Sequence, residues 1–155
     1  MSFTRMSGFT IVLGMMLGLG TGARPVQAEE TFEEALGAAT GMALYEVQMV
    51  LGLSADAFAK KVYDQEQMKT IVAEQKSMME ILNKYLEALR KLDSTSEDDK
   101  KSLQAMSDCI EKLKATAEAL LAYVNDSSDE NADAWQVKRK ASYAAISDLL
   151  GLDKK

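Results

Sequence analysis

The chain has 155 residues, a formal net charge of −6, one cysteine, one proline and no histidine. An acidic chain without a basic cluster excludes nucleic acid and anionic lipid as natural partners, because both need grouped Lys/Arg. The missing histidine excludes haem held by His, di-iron Glu-x-x-His pairs, and Ser-His or Cys-His nucleophiles, while one cysteine cannot build a His/Cys zinc site. No cofactor and no enzymatic activity are therefore expected.

The first 28 residues have the three zones of a secretory signal peptide. Arg5 supplies the positive end, and Phe9 to Leu19 is an uncharged apolar run too short to span a bilayer. Val26-Gln27-Ala28 puts small residues at the −3 and −1 positions, so cleavage is expected between Ala28 and Glu29. No cysteine lies near the cut and no Arg-Arg pair precedes it, which excludes a lipoprotein anchor and a twin-arginine route. The expected location is the periplasm of a bacterial envelope, or outside the cell.

Cleavage leaves residues 29–155 as one domain, from which the only proline, Pro25, and five of the nine glycines are gone. Losing Arg5 and Arg24 takes the formal charge from −6 to −8. A proline-free chain rich in Ala, Leu, Met, Glu and Lys favours helix almost throughout. Four helices are predicted, about 31–62, 65–92, 97–125 and 131–150, joined by turns short enough to force antiparallel neighbours. The predicted fold is an all-α, up-down-up-down four-helix bundle.

In the first helix Leu44, Val47, Leu51, Phe58 and Val62 recur at bundle spacing, with Ser54 interrupting. A break at Gly52-Leu53-Ser54 is the alternative. The seam keeps phase across it, however, and Asp64-Gln65-Glu66-Gln67 offers a capping box for the second helix. That helix carries a stripe of Ile71, Met78, Leu82, Tyr85, Leu89 and Leu92, broadened by Met68, Val72, Met79 and Leu86. Gln75 falls within it. The third helix has the cleanest seam: Leu103, Met106, Ile110, Leu113, Ala117, Leu120 and Val124. The fourth carries Trp135, Ala141, Ala145, Ile146 and Leu149 and stops at Gly151.

From Ala35 to Leu53 the first helix has a single charge, Glu46, and is apolar on more than one side. At about 100° per residue, Met42, Tyr45 and Met49 point away from the seam, with Gly37 and Gly41 on its edge and flank. Such a helix is buried centrally, by a partner or by a membrane. Gly37-x-x-x-Gly41 resembles a membrane dimerisation pattern, but Glu46 and Gln48 sit mid-span. Gly37, Gly41, Met42, Tyr45 and Met49 are thus candidates for contact with another copy or with another exported protein. The function expected is that of a non-catalytic binding or scaffold protein.

The alternative is a small-molecule or metal carrier. Glu97-Asp98-Asp99 and Asp126 with Asp129-Glu130 could attract calcium, although capping explains both and neither has EF-hand spacing. Six methionines outside the signal could hold Cu(I), although most fall on apolar stripes. Cys109, beside Ile110, reads as a small hydrophobe flanking the core, or as half of an intermolecular disulfide. Asn125-Asp126-Ser127 is a glycosylation sequon in a eukaryotic secretory pathway.

Overall fold

A computed structural model describes Phe32 to Leu152, with side chains from Glu34 onward; the expected signal peptide lies outside the described residues. Four helices follow in chain order: α1 Phe32–Ala59, α2 Gln65–Arg90, α3 Glu97–Asn125 and α4 Asp129–Leu150. There is no strand among the described residues, and the fold is an all-α four-helix bundle.

Local chemistry sets the helix starts. Asp64 Oδ1 accepts from the Gln67 amide at 2.8 Å while Gln67 Oε1 accepts from the Asp64 amide at 2.9 Å, closing a capping box. Ser96 and Asp99 form a second box, and Ser128 caps α4 two residues earlier than its pattern suggests. Each cap contributes about 1 kcal/mol and fixes where a turn ends. Gly151, at φ 66°, closes α4 in the left-handed conformation.

Helix α1 stops at Ala59, three residues short of its expected end. Lys61 adopts φ 59°, so its amide bonds the Phe58 carbonyl and the Val62 amide bonds the Ala57 carbonyl, both at 2.8 Å. This is a Schellman closure with lysine where glycine is usual, so the sequence carries no stop signal there. Val62, expected on the seam, is therefore outside the helix and 67% exposed.

The packing departs from a square. Helix α1 touches α2, α3 and α4; α3 touches both α2 and α4; α2 and α4 do not touch each other. Helices α1 and α3 thus lie on the short diagonal of a rhombus, with α1 wedged between α2 and α4. The core is one cluster in which Leu44, Val47 and Leu51 of α1 meet the full predicted seam of α3.

Helix α2 has two candidate apolar rows, and the wedge selects between them. Met68, Val72, Met79 and Leu86 are buried, Leu82 and Leu89 pack partly against them, and Met78, Tyr85 and Leu92 are exposed. The expected stripe was centred one row too far round. A helix with neighbours only at α1 and α3 buries the row facing the cleft between them, and periodicity alone does not distinguish two adjacent rows. On α4, Trp135 and Ile146 are buried as expected, whereas Ala141 is exposed and Ser142 is buried in its place.

A left-handed non-glycine residue costs about 1–2 kcal/mol. Lys61→Gly should therefore raise stability by about 1 kcal/mol, a rise of about 3–5 °C in the thermal midpoint. An unchanged or lower midpoint would mean that the closure carries no strain.

Candidate functional site

The five candidate contact residues divide between two environments. Gly37 and Gly41 serve the bundle's own packing. A Cβ on Gly37 would lie 3.4 Å from Met106 Cε of α3, and one on Gly41 would lie 2.5 Å from Leu150 Cδ2 of α4. The flank expected to receive another protein's helix is therefore occupied by helices of this chain. Gly52 repeats the device, with the Arg139 guanidinium 2.9 Å from its missing Cβ. Tyr45 is half-buried and packs against Tyr143 of α4 at a centroid distance of 6.3 Å.

Met42 and Met49 behave differently. They are 54% and 41% exposed, and Leu53, outside the predicted contact set, is 61% exposed. Together with exposed Ala35, Ala38 and Ala39 they form the outer face of α1. On the α4 side Tyr45 and Tyr143 border this helix. On the α2 side an apolar cleft of about 270 Å³ is lined by Ala43, Val47, Met78, Ile81, Leu82 and Tyr85. The outward surface of α3, by contrast, carries Lys101, Glu111, Lys112 and Glu118. The outer face of α1 thus exposes Met42, Met49 and Leu53 beside Glu46 and Asp56, whereas that of α3 is mainly charged. The sequence signal for Leu53 was its 3–4 spacing from Met42 and Met49.

By length and composition Glu34–Ala59 would also suffice to cross a membrane, and 39% of its most apolar window is buried inside the bundle. Its mid-span polar residue has a specific partner here. Gln48 Nε2 donates to the Arg139 carbonyl at 3.0 Å, and the Ser142 hydroxyl lies 2.9 Å from Gln48 Oε1. Thr116 Oγ1 is 3.1 Å from Ser142 Oγ and bonds the Lys112 and Lys138 carbonyls. These side chains form a buried polar layer across α1, α3 and α4. Serine and threonine at core positions read as interruptions of an apolar pattern, so the layer is not visible in the sequence.

Among the described residues no three of His, Cys, Asp and Glu gather to hold a metal. Asp99 is engaged with Ser96, and Glu97 and Asp98 pair with Lys100 and Lys101. Met68, Met79 and Met106 are core packing. A cleft of about 180 Å³ near the start of α1 has Leu36, Leu89, Leu103 and Met106 among its lining. Of its polar lining, Thr95 donates to the Leu89 carbonyl at 2.7 Å and Asp99 serves the cap. Gln75 is half-buried. Cys109 is 5% exposed, with its thiol 3.5 Å from the Ala145 carbonyl, and burial pushes its pKa up.

No protein family, curated protein or solved structure matches the chain.

Two outcomes test this geometry. Ser142→Ala should cost about 1–3 kcal/mol, since it leaves buried Gln48 Oε1 short of a donor, and adding Gln48→Leu should recover part of that loss. Strictly additive losses would dissolve the layer into independent contacts. Cys109 should alkylate slowly in the native protein at neutral pH and at the free-thiol rate once unfolded. Because its folded pKa is raised, the thiol affects stability only as pH climbs through the unfolded value of about 8.5, where ionisation favours the unfolded chain. Fast native labelling would contradict the burial.

Proposed function

We propose that this is an exported, non-catalytic binding protein of the cell envelope whose working surface is the outer face of α1. The observation that carries the reading is the exposure of Met42, Met49 and Leu53 on the helix that otherwise fills the middle of the bundle. Solvent-facing positions of a stable helix ordinarily carry charge, as those of α3 do, and an apolar outer face is suited to burial against something else. Methionine adapts its shape to a partner surface, and the flanking tyrosines offer rigid amphipathic area. Export is supported by the signal pattern of residues 1–28.

Met42→Glu combined with Met49→Lys should abolish association seen by light scattering or cross-linking, while shifting the thermal midpoint of the isolated subunit little. Val47→Asp is the comparison. Its charge enters the buried seam beside Leu44 and Leu51, and it should unfold the domain. An unchanged association in the Met42/Met49 variant, or unfolding as severe as that of Val47→Asp, would refute the reading.

A further inference from the structure

The outward face shared by α1 and α4 carries apolar side chains and charges of both signs. Met42, Met49 and Leu53 of α1 and Val137 and Tyr143 of α4 are 41–64% exposed. Among them stand five exposed charges: Glu46, Asp56 and Lys60 on the α1 side, Asp133 and Lys140 on α4. None of the five takes part in an ion pair or a side-chain hydrogen bond among the described residues. A free charge at a surface is simply hydrated, so the signs alone decide nothing. Their heights along the bundle do.

Contacts already described fix those heights. Helices α1 and α4 run antiparallel, with Gly41 level with Leu150, Tyr45 with Tyr143 and Gly52 with Arg139. On that scale Lys140 stands midway between Glu46 and Asp56, and Asp133 stands beside the end of α1 at Lys60. A twofold axis along the bundle lays α1 of one copy on α4 of another and leaves every height unchanged. Opposite signs then meet. Lys140 of each copy enters between Glu46 and Asp56 of the other, about 8 Å of rise from each, and Asp133 comes within about 3 Å of rise of Lys60. Facing lysine and carboxylate side chains span such gaps. Leu53 of one copy falls level with Val137 of the other, and Met49 with Tyr143.

We infer that this face pairs two copies of the chain, with α1 of each lying antiparallel against α4 of the other. This rests on the reading of α1 as the binding surface and names its occupant. Every contact is made twice, as a self-complementary face requires. Two helices wide and as long as α4, the face is about 20 Å by 33 Å, or roughly 700 Å² per copy, close to the share each partner gives to a standard interface. The matched charges also offset the repulsion between two chains of net charge −6.

The test is sedimentation, across a concentration series, of the protein purified after expression of the full chain. A dimer is expected. Lys140→Glu should weaken it at least tenfold, and adding Glu46→Lys with Asp56→Lys should restore it to within about threefold. Thermal midpoints within a few degrees of the original are the folding control. On a Cys109→Ala background, Leu53→Cys chains mixed with Val137→Cys chains should oxidise to the mixed disulfide, which needs α1 of one copy against α4 of the other. A monomer at every concentration, a dimer indifferent to Lys140→Glu, or no mixed disulfide overturns this inference. The Met42→Glu/Met49→Lys variant then decides the broader reading separately. A dimer or a complex with another protein that is lost in that variant keeps α1 as the binding surface; association indifferent to it, or none at all, overturns both.

Discussion

Helix α1 lies against α2, α3 and α4 at once, and at Gly41 it comes so close to α4 that a single added carbon would overlap the Leu150 side chain. With Gly37 against Met106 and Gly52 against Arg139, the inner half of α1 can sink between α2 and α4 until it meets α3. Larger side chains at Gly41 and Gly52 would have to displace the Leu150 and Arg139 side chains, while Gly37 meets Met106 at ordinary contact distance. The glycines cost helix stability, about 1 kcal/mol each relative to alanine. Close packing along α1, where Leu44 and Leu51 are fully buried, offsets that cost.

A wedged helix needs a defined depth and rotation, and apolar contact alone specifies neither sharply. The layer of Gln48, Thr116 and Ser142 does so, because its hydrogen bonds close in one register of α1 against α3 and α4. Sliding α1 by one residue would carry Gln48 about 100° away from the Arg139 carbonyl and leave buried donors and acceptors unmatched. The layer therefore also determines which side of α1 faces out. Surface ion pairs play a small part, since four of the five are exposed contacts three residues apart on one helix, each contributing a few tenths of a kcal/mol.

Much of this was legible in the sequence where one strong local signal acts alone. The α3 seam was read residue for residue, and the Asp64 capping box located the first turn. What escaped was decided by tertiary context. The end of α1 at Lys61 uses a left-handed lysine, which no propensity anticipates. The two rows of α2 differ by one position on the wheel, and only the absence of contact with α4 selects the Met68/Val72/Met79 row. The contact face was legible in its methionines but not in its limits. Gly37 and Gly41 were assigned to an outside partner because small residues invite close approach, and a sequence does not say by whom. Leu53 sits in the Gly52-Leu53-Ser54 segment, where a helix break competes with a surface role.

The rhombus also has a consequence in time. Helices α2, α3 and α4 join by short turns, and each touches the next in the chain, so their contacts form locally and early. Helix α1 is synthesised before any of them, yet its deepest contacts are with α3 and with the far end of α4, at Tyr143 and Leu150. Until α4 is complete, α2 and α3 can cover the inner seam of α1, but its flank at Gly41 and Tyr45 lacks its neighbours. Folding therefore concludes when the flank of the earliest-made helix is closed over by the last.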